Sequence, residues 1–433
     1  MAEAGRVAVV GAGISGLGAA DRLRRAGHPV EIIECGTVPG GRCGAGILDG
    51  RPITVGGRMI GAKYTALREF LADLGSFDLE PARMRLTRLI DGDLVTLDHR
   101  DPAGTLRYLV GAGAAAPDVV KFSYLSRRAR GERGLLAPGY FSKLAASGDR
   151  KPLSDHFDPV VTRTLLTPMT IWMHGAEPDE VHLGSFGMVL ATMLDEFEQL
   201  TDGIQPVVAE LVRSGVVLRT GTWATRLLVR NGRVRGLTLS ENGGPPVDRL
   251  YSAVVLALPA PAAVELAADE FPALAKLLAQ VRYLPAAAAV VEYDRDVFAP
   301  DIGGIAFDNG PCRMVDPYGV TRRDTVRYTF TGRAARPLPT AAVLDTWLGR
   351  AERLLFAGFG LGAIRRRGVV RRGWTAGYCA YLPFHLEFTG RLRHELAACG
   401  RLALAGDYLL GTSMEACFRS GVEAASAVTA ELA

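Results

Sequence analysis

The chain has 433 residues, enough for two or three domains of roughly 150 residues each. Apolar residues make up 48% and charged residues 22%, which excludes a generally disordered chain. Fifty Lys and Arg face 46 Asp and Glu, a net charge of +4 that is too mild to point to nucleic acid. No apolar run reaches the ~18 residues of a membrane span, so no integral membrane association is expected. The nearest run, 253–264, is interrupted by Pro259 and Pro261. The six cysteines form no CxxC pair and the seven histidines show no HxxxH or HExxH spacing. Neither a disulfide frame nor a metal site is expected, and a reducing cytoplasm fits.

Residues 6–10 (RVAVV) read as a buried parallel strand. Because this run passes directly into a Gly-rich loop, it is read as part of a fold and not as a leader. The loop is GAGISG at 11–16; a helix is expected over 17–26, stopped by Gly27. A second strand, 29–33, ends at Glu34. GxGxxG alone is weak evidence. Between a strand and a helix, with a carboxylate ending the next strand, it is a dinucleotide fingerprint. Gly11 permits the turn, Gly13 lets backbone approach a pyrophosphate, and Gly16 lets helix and strand pack closely. Ser15 stands in the same turn. The helix N-terminus offers free N–H groups and a partial positive charge to phosphates. Glu34 suits an adenosine ribose and would repel a 2′-phosphate, which disfavours NADP. Pro39-Gly-Gly41-Arg42-Cys43 then adds two glycines and a guanidinium near the diphosphate. Residues 53–60 bring Gly56, Gly57, Arg58 and Met59. A simple NAD dehydrogenase needs neither addition.

GAGISGL, Glu34 and the Gly-Gly-Arg elements resemble the FAD-binding superfamily of flavin amine oxidases, protoporphyrinogen oxidases and phytoene desaturases. In that family the segment at 53–60 usually has Asp before Gly, where this chain has Thr54-Val55. The far end of the chain matches too. Residues 402–408 (LALAGDY) read as a strand ending in Gly406-Asp407, and Ser413-Met414-Glu415-Ala416 opens a helix to about 431. Asp407 suits ribityl or ribose hydroxyls. The N–H groups near Met414 and Glu415 suit a flavin pyrimidine, where a helix N-terminus stabilises the negative charge of reduced flavin. This segment is similar to the Gly-Asp-Tyr and Ser-Met-Glu-Gly-Ala form of desaturases, with Ala416 and Cys417 replacing Gly and Ala. Between the two ends, 203–213 reads as a helix and 216–220 as a strand. Strands at 225–229 and 234–239 flank an Asn231-Gly232 hairpin turn, and 251–258 is a further strand. By the resemblance, backbone near Ala224 faces adenine.

The resemblance implies an α/β fold: a Rossmann-like FAD-binding domain assembled from 1–65, 201–261 and 396–433. An α+β substrate domain with a mixed or antiparallel sheet would take 66–200 and 262–395. Helical spacing at 65–75 and 180–200 and strands at 284–293 and 325–331 belong to the second domain. Basic runs at 127–130 and 365–372 read first as solvated faces in an Arg-rich chain. An anionic substrate or an acidic carrier protein is the alternative.

The expected reaction is FAD-dependent oxidation of a small, partly apolar molecule, C–N or C–C to imine or alkene, by hydride transfer to flavin N5. Specialised metabolism, a cytoplasmic location and a homodimer accompany this expectation. Two alternatives are a flavin-dependent non-redox isomerase or cyclase, and a non-catalytic flavin-binding partner. Trp374, Tyr378 and Tyr381 lie in a segment resembling the amine-oxidase stretch whose aromatic residue walls the flavin; plain core packing is the competing reading. Cys379 falls on the usual aromatic position and makes a covalent thioether conceivable. Many amine oxidases carry a Lys near position 288 that holds a water close to N5. This chain has Ala288 and no Lys after Lys276. That departure favours desaturase-like or protoporphyrinogen-oxidase-like chemistry. His156, His174 and His182 are candidate bases, each more simply read as structural.

Overall fold

The computed structural model describes residues 5–82, 86–90, 93–97, 101–131, 148–193, 195–300, 302–381 and 383–433. The side chains of Arg128 and Arg130, in the first basic run, lie outside the described residues. Five short strands form a parallel sheet in the spatial order Val217–Arg219, Val30–Ile33, Val7–Val10, Ala253–Leu256, Leu402–Leu404. The three central strands are buried along their whole length, as parallel strands covered on both faces must be. The start, middle and end of the chain therefore share one sheet.

Side-chain alternation sorts the sheet into two cores. Val7, Val9 and Ile32 pack with Leu17, Leu67, Val207 and Phe418, so four helices cover this face. They are Ile14–Arg25, Thr65–Leu74, Gln205–Arg213 and Met414–Leu432. Ala8, Val10 and Ile33 face the other way, toward Leu227, Leu237 and Ala263. That second cover is a three-stranded meander, Thr222–Arg230, Arg233–Glu241 and Val247–Leu250, with helices Ala260–Ala267 and Pro272–Leu278. The meander's first turn holds Asn231 at φ 53° and Gly232 at φ 70°, the left-handed pair that the Asn-Gly signal called for.

A seven-stranded mixed sheet forms the other layer. Its spatial order is Arg366–Ala380, Arg282–Tyr293, Thr325–Phe330, Cys312–Pro317, Ile305–Ala306, Leu86–Ile90, Asp93–Leu97. One pair, Ile305 against Thr87, is parallel and the others are antiparallel. Ala287, Ala289, Val291, Tyr328 and Phe330 point to one face, where Leu344, Leu348 and Leu355 of helix Ala341–Gly358 cover them. The opposite face carries Ala288, Arg327 and Thr329 toward the parallel sheet. The helical spacing at 180–200 covers two elements in the structure. Helix Leu183–Met193 ends, and Phe197–Leu200 pairs with both Ile60–Gly61 and Leu79–Ala82. Phe197 and Leu200, three apart with Glu198 and Gln199 between them, continue a helical pattern by chance, and pairing partners decide the state of so short a run.

The first and last long helices meet through glycines. A Cβ on Gly421 would stand 1.9 Å from the Ser15 carbonyl oxygen, and one on Gly18 would stand 2.5 Å from that of Phe418. Gly421→Ala is expected to force these helices apart at a cost of about 1–3 kcal/mol. Its urea midpoint should fall by the corresponding amount. A midpoint equal to that of the parent protein would show that the crossing has room to spare.

Candidate cofactor and active site

A cavity of about 1030 Å³ lies between the two sheets. That is at the top of the range for ligand pockets, large enough for an extended ligand. Gly11, Gly13, Glu34 and Ala224 line the end beside the parallel sheet and meander. Gly41, Arg42, Gly57, Asp407 and Met414 line its middle. Ala288, Arg327, Thr329, Trp374 and Tyr378 line the end at the mixed sheet, with Met173 and His174.

The first end fits a dinucleotide. Gly11 sits at φ 104°, and its Cβ position lies 2.4 Å from the Ala257 carbonyl oxygen, so only glycine turns the chain there. Gly16 would drive a Cβ to 1.9 Å from Gly11 O, so it serves close packing without lining the cavity. Gly13 caps helix Ile14–Arg25 with no side-chain acceptor, and the helix has no acid in its first turn. Its leading N–H groups are left for an anion. Ser15 lines the same wall. Glu34 Oε2 accepts from Ala12 N at 2.8 Å and Oε1 from Gly36 N at 2.7 Å. Oε1 also accepts from Cys35 Sγ at 3.6 Å, and Oε2 keeps a second lone pair for a ribose hydroxyl. Gly41 stacks on the Gly-rich turn, its Cβ position 3.1 Å from Gly13 Cα. Such bare backbone is a cradle that any side chain would fill.

The middle is built around Asp407, which is fully buried. Arg42 Nη1 donates to its Oδ2 at 2.5 Å and the Tyr283 hydroxyl to its Oδ1 at 2.5 Å. Burial opposes the charge on Arg42; Asp407 more than offsets it and holds the guanidinium well above its usual pKa. Gly406 turns into this site, its N–H donating to Ser420 Oγ at 3.0 Å. Cys43 and Cys417 line the same region, and burial pushes each thiol up to about 12. Cys379 is fully buried and lies outside the cavity lining.

Several residues read from the motifs turn elsewhere. Gly56 and Gly57 do join the cavity, hydrogen bonding to Cys43 O and Arg42 O at 2.8 and 3.1 Å. Arg58, next in line, is buried away from it. Its Nη2 donates to Asp316 and to Pro317 O, and its guanidinium lies 5.0 Å over the Tyr318 ring. Met59 packs against the helical core. Glu415 accepts from Ala66 N at 3.0 Å and Leu67 N at 2.9 Å, so it caps helix Thr65–Leu74, and it pairs with Arg419. Met414 lines the cavity. Tyr381 is fully buried outside the lining and donates its hydroxyl to Asp407 O. Trp374 and Tyr378 do line the cavity.

Of the three candidate bases, His174 lines the cavity and His156 and His182 do not. Burial lowers His174 to about 4, so its imidazole is neutral at pH 7. His182 is lowered to about 3 by burial and by His385 and His174; His385 is lowered to about 4 by burial, which its contact with Tyr408 O partly opposes. No motif marks Arg327 or Thr329, which sit mid-strand and look like ordinary polar alternation. Only the facing of the two sheets brings them into the cavity.

The sequence profile described as flavin containing amine oxidoreductase matches residues 14–429. A candidate zeta-carotene desaturase from Synechococcus elongatus is 35% identical over 102 residues, spanning 23% of this chain and 21% of that protein. Among solved structures, a candidate protoporphyrinogen oxidase from Exiguobacterium sp. 255-15 superposes with a TM-score of 0.73 at 19% identity, over 100% of both chains. Cyclohexylamine oxidase from Brevibacterium oxydans IH-35A superposes with a TM-score of 0.69 at 20% identity, over 99% of each chain. Among the described residues no helix is long and apolar enough to cross a membrane, and no cluster of metal-ligating side chains forms.

The buried histidines set an expected pH dependence. An imidazole held at about 4, against 6.5 when unfolded, is neutral in the fold while the unfolded chain takes up protons. Stability is full above pH 6.5 and falls as pH drops toward 4, by on the order of 3 kcal/mol for each such imidazole. His174→Phe should flatten the urea-midpoint profile between pH 4.5 and 7. An unaltered slope would mean that His174 is not neutral in the fold.

Proposed function

The chain belongs to the flavin-containing amine oxidoreductases, and we propose that it is an FAD-dependent oxidoreductase that converts a C–N or C–C single bond of a small, partly apolar substrate to an imine or alkene. The observation that carries this reading is a single cavity with a bare glycine cradle at one end and an apolar, aromatic-walled chamber at the other. When bound, FAD supplies the two-electron acceptor for a hydride leaving substrate carbon.

The remaining roles belong to the chain. The Gly11–Gly13 turn and the helix N-terminus hold the diphosphate, and Glu34 holds the adenosine ribose. Backbone near Ala224 borders the adenine. Asp407, fixed by Arg42 and Tyr283, orients ribityl hydroxyls with its free lone pairs. The N-terminus of Met414–Leu432 places partial positive charge beside the cavity. Trp374 and Tyr378 wall the chamber, and Met173, Val189 and Leu338 exclude water from it. Ala288 stands in the sheet floor, and no Lys lines the cavity among the described residues. That favours a desaturase-like or protoporphyrinogen-oxidase-like reaction over a standard monoamine oxidase. We assign 1–65, 201–261 and 396–433 to the FAD-binding domain and 66–200 and 262–395 to the substrate domain. The three-stranded sheet of Ile60–Gly61, Phe197–Leu200 and Leu79–Ala82 is the seam between them.

The test is the absorption spectrum of the purified protein, before and after acid denaturation and during anaerobic incubation with saturated amines and hydrocarbons. Flavin absorbance that acid releases, and that one substrate bleaches while losing two hydrogens, is the expected result. A bound flavin with a product of unchanged mass would replace oxidation by isomerisation or cyclisation. A colourless protein that FAD does not reconstitute would remove the reading altogether.

A further inference from the structure

At the mixed-sheet end, Arg327 lines the cavity and Arg58 lies buried behind the wall. Arg58 and Arg327 share one carboxylate, Asp316. Arg58 holds Asp316 Oδ2 closely, while Arg327 Nη1 stands 3.7 Å from Oδ1. Arg58 and Asp316 are buried, each at 4% side-chain exposure, and Arg327 is largely covered at 14%. Two guanidinium groups against one carboxylate leave a net charge of +1 in a region shielded from water. Arg327 spends its Nε on the Val55 carbonyl at 2.9 Å, and its Nη groups make no hydrogen bond to a described residue. The carboxylates that line the cavity among the described residues are Glu34 and Glu265, at the glycine-cradle end, and Asp407, already taken by Arg42 and Tyr283.

Two further polar groups at this end lack partners. Thr329 stands two residues along the same strand, on the same face as Arg327; it is 2% exposed and its Oγ1 is unbonded. His174 is also 2% exposed and its Nδ1 is unbonded. The turn after His174 brings it here: the Cβ position of Gly175 lies 2.5 Å from Thr331 Oγ1 and 2.6 Å from Tyr378 Cδ2. Buried polar groups of this kind are ordinarily satisfied, by protein, water or ligand. A guanidinium whose Nη groups hydrogen bond to no described residue, one of them only ion-paired at 3.7 Å, presents the planar fork that matches a carboxylate.

We infer that the substrate carries a carboxylate on an apolar body, that Arg327 binds the carboxylate as a two-pronged donor, and that Thr329 and His174 take the polar groups beside it. Resting on the reading of this end as the substrate chamber, the inference narrows the substrate from partly apolar to apolar and anionic. Burial depresses the Arg327 pKa, Asp316 opposes that shift and Arg58 adds to it, so a bound carboxylate relieves an unbalanced charge. Arg327 is thereby a specificity residue: it fixes which molecules enter and how they lie.

The test uses the purified holoprotein with two matched pairs, 3-phenylpropanoate with 3-phenylpropanamide and hexanoate with hexanamide. Binding is followed by tryptophan fluorescence and by perturbation of the flavin spectrum, and FAD content is measured separately. Each carboxylate is expected to bind at least tenfold more tightly than its amide. Arg327→Met should remove that preference and leave FAD content unchanged. Arg327→Lys, which keeps the charge without the fork, should lose three- to tenfold, and it carries the test if Arg327→Met does not fold. Amides binding as well as carboxylates, no carboxylate binding, or a preference that survives Arg327→Met would overturn the inference. Loss of FAD from Arg327→Met would also overturn it, by giving the guanidinium to the cofactor. Failure of the oxidoreductase reading looks different: the parent protein holds no flavin, while tryptophan fluorescence still reports whether carboxylates are preferred.

Discussion

Asp407 is a carboxylate with no access to water, and the two ends of the molecule close around it. A buried charge of this kind costs several kcal/mol unless donors replace the lost solvent. Two donors do so, and a third hydrogen bond holds the residue's backbone, from three separate stretches of chain. Arg42 comes from the Gly-rich element after the second strand, and Tyr283 from the long strand next to the edge of the mixed sheet. Tyr381, just past the edge strand, donates to the Asp407 carbonyl. The parallel sheet, the mixed sheet and the last helix are therefore coupled through one side chain. The cavity lies where those elements meet, so its shape depends on Asp407 being satisfied.

The mixed sheet serves two purposes through strict alternation. Its outward face buries Ala287, Ala289 and Val291 beneath a long helix, which stiffens the floor. Its inward face is left with small or polar groups, Ala286, Ala288, Arg327 and Thr329, and space opens above them. A bulky residue at 286 or 288 would fill the chamber. The alanine run thus sets cavity volume, and Arg327, the cation that lines the cavity from that face, sets its polarity.

Much of this was legible from local pattern. The glycine loop, its flanking strand and helix, Glu34, the Asn-Gly hairpin and the terminal strand and helix each follow from contiguous residues whose spacing has one physical solution. What was not legible depends on distant partners. Arg58 reads as part of a Gly-Gly-Arg element, yet Asp316 draws it away from the cavity from 258 positions along the chain. Glu415 stands at a helix start expected to offer N–H groups to the cofactor, while its own carboxylate is claimed by two N–H groups at the start of Thr65–Leu74. Tyr381 looked like a wall and lies behind it. Arg327 gave no motif at all, because a polar residue on an alternating strand is unremarkable until the opposite layer is known. Local sequence specifies elements and turns; charge partners across layers decide which side chains reach the cavity.

The most direct test of the coupling at Asp407 is a double-mutant cycle on FAD affinity with Arg42→Met and Asp407→Asn. If this pair holds the site closed, each single change should weaken FAD binding tenfold or more, about 1.4 kcal/mol. The double change should cost less than the sum of the two, with a coupling of at least ~1 kcal/mol. Additive losses, or FAD affinity indifferent to both changes, would mean that the first and last segments meet without the site depending on their ion pair.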